Sequence, residues 1–217
     1  MSGLLFFAVL VIIVIAAPAQ AAIKFARKAD STAELMTEFP ADSAVIAALP
    51  VEWLEFAATN GFSFSGMFRY EQCTLVAFHQ ANENSVRRWM MIILVLANRV
   101  PDLFTEFSDS ESVTTSGGNA LGMFPRVPGS FSQGFPHRPV PDLYQRHLEA
   151  ESFLIQNRKV QCARITITLK ERTERDIRAQ ARLVRETPLY WLKASYCFWI
   201  KRFLIANKPV APRRARA

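Results

Sequence analysis

The first 23 residues carry no charged side chain, and Leu4–Ala17 within them is an unbroken apolar run. No other feature of this 217-residue chain constrains its fold so strongly, because such a run must be covered by lipid or by protein. A helix from Gly3 to Ile23 spans roughly 30 Å at about 1.5 Å per residue, the thickness of a bilayer core. Pro18 is tolerable near its end. The alternative is a cleaved signal peptide, since Ala19-Gln20-Ala21 fits an A-x-A site and the run has signal-peptide length. Two features favour an uncleaved anchor. Met1-Ser2-Gly3 has no Lys or Arg, and Lys24, Arg27 and Lys28 lie just beyond the run. The positive-inside rule then leaves the N-terminus outside and the rest of the chain in the cytoplasm. Cys73, Cys162 and Cys197, odd in number and without zinc-site spacing, fit a reducing compartment. The expectation is a cytoplasmic-membrane anchor over 1–23, with export after cleavage near Ala21 as the alternative.

Charge is segregated at the other end. Residues 24–186 hold 19 basic and 19 acidic side chains, and no Asp or Glu occurs after Glu186. Lys193, Lys201, Arg202, Lys208, Arg213, Arg214 and Arg216 therefore supply the whole net charge of +7. A neutral middle with a cationic end favours an anionic partner, lipid headgroups or nucleic acid.

Between the ends, helical patterning covers Lys24–Phe39, Asp42–Leu49 and Pro50–Asn60, with Gly61 as a cap. Strand patterning comes next, at Phe62–Tyr70, Cys73–His79, within Ser85–Ala97 (a central buried strand, with a buried helix as the alternative), and as a hairpin of Leu103–Ser108 and Ser112–Ser116 around Asp109-Ser-Glu111. Phe131–Phe135 reads as an edge strand. Helices resume at Asp142–Asn157, with Asp142 as N-cap, and at about Lys170–Glu186, with Ile165–Leu169 a short strand or the entry to that helix. Leu189–Ala206 is the last helix. The fold class expected is α+β, a mostly antiparallel sheet flanked by helices. Its parts are an anchor at 1–23, a helical connector at 24–60, an α+β domain at 61–186, and an aromatic-basic helix with a basic tail at 187–217.

The Phe104–Thr115 hairpin, the Phe-Pro…Pro-Gly-Ser-Phe stretch of Phe124–Phe131, Asp142-Leu-Tyr-Gln-Arg-His147 and the aromatic-basic C-terminal helix come after an apolar N-terminal run. In this order they resemble an uncharacterised bacterial membrane-anchored family. The resemblance implies architecture only, with no activity attached.

Catalytic motifs are weak. His147 and Glu151 are four apart on a helix, but no H-E-x-x-H and no third ligand accompany them. His79 ends a strand and His137 lies in a Pro-rich loop, so structural or surface roles are favoured for all three. Gly129-Ser-Phe-Ser-Gln-Gly134 is not a nucleophile elbow, and nothing local marks Cys73 as activated. Gly117-Gly118-Asn-Ala-Leu-Gly122 matches neither phosphate-binding fingerprint, although its backbone could face an anion. Glu106, Asp109 and Glu111 read as solvated turn charges. No metal or cofactor is expected.

The basic residues carry more information. Arg175, Arg178, Arg182 and Arg185 line one helix face. Glu171–Arg175 and Glu174–Arg178 pairs account for half the row, which leaves Arg182 and Arg185 for phosphate contact. Leu189–Ala206 sets Tyr190, Trp191, Tyr196, Phe198, Trp199 and Phe203 among Lys193, Lys201 and Arg202. A second span is disfavoured by those cations; an interfacial helix suits them, with a buried core helix as the plain alternative. The tail, Lys208, Arg213, Arg214 and Arg216, adds attraction to an anionic leaflet. The leading expectation is a non-enzymatic, membrane-anchored interaction domain contacting anionic lipid, with room for a protein partner. An enzyme assembled from His79, His147 and Gly117–Gly122 is second, and a nucleic-acid binder using Arg182, Arg185 and the tail is third.

Overall fold

The computed structural model describes residues 2–80, 86–118 and 124–210, with the backbone alone at 2–15, 191 and 192. A helix, α1 (Ser2–Ser31), leads into a seven-stranded sheet. Its strands are β1 (Thr37–Phe39), β2 (Phe62–Tyr70), β3 (Cys73–Gln80), β4 (Arg87–Val95), β5 (Asn98–Glu106), β6 (Ser112–Ser116) and β7 (Ser130–Gly134), in that spatial order. Neighbours pair antiparallel except β6 and β7, which run parallel. The α+β expectation and the mostly antiparallel sheet therefore hold.

Two-residue periodicity divides the core between the faces. Met67, Val76, Met90 and Leu103 point to one side. There they pack with α3 (Val51–Thr59) and α4 (Val140–Asn157), through Ala57, Val140 and Leu143. Phe68, Ala77, Trp89 and Phe104, each one residue along, point to the other side with Met36 and Leu169. Leu169 opens α5 (Leu169–Glu186), whose N-terminus is fixed by a capping box: Thr168 Oγ1 accepts from Glu171 N, and Glu171 Oε2 accepts from Thr168 N at 2.7 Å. Gly129, at φ +81°, lets the chain re-enter as β7; a Cβ there would sit 2.4 Å from the Ser110 carbonyl oxygen.

Several boundaries differ from the sequence expectation. The helix expected over Lys24–Phe39 stops at Ser31, because Thr37–Phe39 instead pairs with β2, Phe39 opposite Met67. Asp42 does cap a helix, α2 (Ser43–Ala47), and Gly61 closes α3 at φ +74°. Asp142 is not the N-cap of α4, since Pro139 holds that position; Asp142 sits in the first turn, ion-paired with Arg138 at 3.5 Å. Residues 165–168 form neither strand nor helix.

The C-terminal helix is interrupted. It consists of α6 (Tyr190–Tyr196), a π turn (Cys197–Lys201) and α7 (Arg202–Ile205). Ala206 then bridges to Gly134 on β7, Asn207 N donates to Gly134 O at 2.7 Å, and Val210 N donates to Gln133 Oε1 at 2.8 Å. Residues 206–210 thus cover the β7 edge.

Ala22, Ala26 and Ala29 of α1 share a cluster with Ala181 and Val184 of α5 and with Tyr190 and Ala194 of α6. Ala19 is buried as well. The last third of α1 is therefore part of the folded domain, so the anchor expected over 1–23 cannot face lipid along its whole length. Of the expected span, the side chains of residues 1–15 lie outside those described. Among the described residues, no helix is long and apolar enough to cross a membrane.

Candidate functional site

The histidine–glutamate pair of α4 does lie on one face, and that face is inside the protein. His147 and Glu151 are buried against β5 and β6. The hydrogen bonds fit one direction: Gln133 Nε2 donates to Thr115 Oγ1 (2.9 Å), whose hydroxyl reaches His147 Nδ1 (2.9 Å). His147 Nε2 then meets Thr105 Oγ1 (2.7 Å), which donates to Glu151 (3.1 Å), and Arg88 closes the row on Glu151 at 2.5 Å and 2.8 Å. Only a neutral imidazole with its proton on Nε2 satisfies this sequence. Burial holds its pKa down to about 4, against the opposing pull of Glu151. Every nitrogen of the ring is used inside the protein, which suits a structural role.

His79 belongs to the opposite face, its ring 4.7 Å from Trp89. The sheet therefore separates His79 from His147, and the two histidines do not meet in one site. His137 is an exposed residue at φ +64°. Of the Gly-rich loop only Gly117 and Gly118 are described: Gly117 N donates to Pro101 O at 2.8 Å and Gly118 N to Ser116 Oγ at 3.0 Å, while 119–122 lie outside the described residues. Among the described residues no group of His, Cys, Asp and Glu is arranged to hold a metal.

Glu106 departs from the expected solvated turn charge. It is fully buried on the Phe104 face, accepts from Trp89 Nε1 at 2.8 Å and pairs with Arg87 at 3.0 Å. Asp109 and Glu111 instead act as turn acceptors, for Thr166 N (2.9 Å) and Gln161 N (3.2 Å). On the same face as Glu106, Asp102 is pushed up to about 7 by burial, with a hydrogen bond to Ser116 opposing the rise.

The arginine row of α5 is committed to protein partners. Arg178 donates to the carbonyls of Ala29, Thr32 (2.8 Å) and Ala33 (2.7 Å), the orphan acceptors around the end of α1. Glu174, expected to pair with Arg178, accepts instead from Leu35 N and Met36 N at 3.0 Å and 2.8 Å. Arg175 donates to Asp109 O rather than to Glu171. The expectation that Arg182 and Arg185 lack carboxylate partners is also corrected. Arg182 pairs with Glu186 at 3.9 Å, and Arg185 pairs with Asp30 of α1. Only their exposure leaves them near solvent.

What remains as a surface is the outer side of α6, the π turn and α7. Tyr190, Ala194 and Cys197 face inward and are buried. Tyr196, Trp199, Ile200, Phe203 and Leu204 face outward, each between 44% and 53% exposed. A π turn holds more residues per turn than an α-helix, so it rotates α7 relative to α6 and keeps Phe203 and Leu204 on the outer side. Lys193 is exposed at the start of this face and Lys201 is half-buried, while Arg202 stacks 4.4 Å from the Phe198 ring centre and 4.6 Å from that of Phe203. The inner side of this segment is thus buried, as the core-helix alternative expects, while its outer side is exposed. Trp191 lies in α6 with its side chain outside the described residues, as do Arg213, Arg214 and Arg216 altogether. Lys208 is described and exposed. The π turn and the partners of Arg178 had no local sequence signal.

Compared with protein-family models, curated proteins and solved structures, the chain matches none.

Proposed function

We propose that this chain is a membrane-anchored, non-enzymatic interaction domain whose C-terminal helical segment lies on an anionic bilayer surface. The observation that carries the reading is the run of five outward apolar side chains, Tyr196 to Leu204, on a segment whose inner side packs beside α1. Contiguous exposed apolar residues of this kind mark interaction surfaces. Lipid is the partner favoured, because Lys193 and Arg202 flank the face and the residues leading into α1 are the Leu4–Ala17 run. The N-terminus lies outside and the domain inside, with exposed Lys24 and Arg27 at the cytoplasmic boundary. An uncleaved N-terminus agrees with α1 running without a break through Ala19-Gln20-Ala21, where Ala19 and Ala22 are packed.

Fluorescence quenching tests the reading. With the full chain in anionic liposomes carrying brominated acyl chains, the emission lost between the parent and Trp199→Phe is predicted to be strongly quenched. Emission from Trp199 that is the same in brominated and ordinary lipid contradicts contact with the bilayer.

A further inference from the structure

Beside this face the structure holds a second feature of different chemistry. A cavity of about 170 Å³ lies between β7 and the segment after α7, lined by Arg126, Ser132 and Gln133 on one side and Ile205, Lys208 and Val210 on the other. Among the described residues no carboxylate lines it. We propose that Arg126 and Lys208 hold the phosphate of an anionic lipid headgroup in this cavity, a proposal that rests on the membrane reading above.

Among the described residues neither cation has a carboxylate partner, unlike Arg182 and Arg185 of α5. Among the described residues Arg126 makes one hydrogen bond, of 3.3 Å to the Ser132 carbonyl, out of five N–H donors. Among the described residues the Lys208 ammonium has neither hydrogen bond nor ion pair. Arg126 and Lys208 both line this one space, and an arginine fork with a lysine point charge are the usual elements of phosphate recognition. The walls are also fixed in advance. Asn207 at φ +60° ends α7 and bonds to Gly134, while Val210 is tied to Gln133, itself buried and bonded to Thr115 and to Arg146 O. A headgroup, rather than free phosphate, is indicated by continuity with the apolar face: Ile205 of the cavity adjoins Leu204 of the exposed row. A phosphate held there lets its acyl chains lie along Phe203 and Leu204.

The test is titration calorimetry of the full chain in neutral detergent with dihexanoyl phosphatidic acid, dihexanoyl phosphatidylcholine and inorganic phosphate. The parent is predicted to bind the phosphatidic acid at least tenfold more tightly than either other probe. Arg126→Gln and Lys208→Gln are each predicted to weaken it fivefold or more, and Arg158→Gln, an equal loss of charge at the exposed end of α4, to leave it unchanged. Equal affinity in all three variants overturns the site. Inorganic phosphate binding as tightly as the lipid overturns the lipid source. Trp199 quenching separates the two proposals: if it persists in an Arg126→Gln chain of unaltered affinity, only the cavity is lost, and if it is absent in the parent, the membrane reading fails.

Discussion

His147 and Asp102 make opposite demands on pH. Folded His147 stays neutral down to about 4, whereas the unfolded imidazole takes its proton near 6.5, so its contribution to stability falls on acidification through that window. Asp102 keeps its proton in the fold up to about 7, whereas the unfolded carboxyl releases it near 3.8, so its contribution falls as pH rises. Between pH 4 and 6.5 the two slopes oppose each other and nearly cancel. Removing either group is therefore predicted to reveal the other. Asp102→Asn gives a chain that loses up to roughly 3 kcal/mol as pH falls across the imidazole window. His147→Gln gives one that is most stable in acid and weakens toward neutrality. Apparent melting temperatures across pH decide this, and parallel profiles for the two variants contradict the assignment. Gly129→Ala is a simpler case. Its Cβ meets the Ser110 carbonyl, and a loss of more than about 1 kcal/mol is expected from the same melts.

Among the elements, α1 and α5 form a clasp in which side chains of one finish the backbone of the other. Arg178 satisfies three carbonyls around the end of α1, and Glu174 receives two amides of the segment after it. Bonds from a charged donor contribute about 1.5–3 kcal/mol each at most when partly buried. Arg178→Met is predicted to free this junction, measured as faster proteolytic cutting within residues 32–36 while the sheet stays protected; an unchanged cutting rate contradicts the clasp. None of these partners was legible in the sequence, where Glu174 four residues before Arg178 suggests a pair within the helix. Local spacing reports what one helix can do alone, and Ala29 and Arg178 are 149 residues apart. The same limit hid β1, whose three residues carry no pattern, and the network of His147 with Thr105, Thr115 and Gln133. By contrast β2, β3 and β6, bounded by turn residues and rich in strand formers, were legible nearly to the residue. The C-terminal face was legible as aromatic and basic, but its division into buried and exposed sides depended on the π turn.

For the whole molecule, the clasp has a consequence for orientation. Because Ala22, Ala26 and Ala29 pack α1 against α5 and α6, and α1 is one continuous helix, its earlier turns are carried by the domain. No flexible linker separates those turns from the domain, so the outward face of α6 and α7 has a fixed relation to the helix axis. The sheet, with its polar network sealed inside, serves as the rigid support. The account depends first on the N-terminus being retained and the domain facing inward. Protease treatment of intact spheroplasts carrying a C-terminally tagged chain, with the mass of its N-terminal peptide determined, measures both. The account predicts a protected tag and an N-terminus at or next to Met1. A tag digested from outside, or a chain that begins at Ala22, contradicts it.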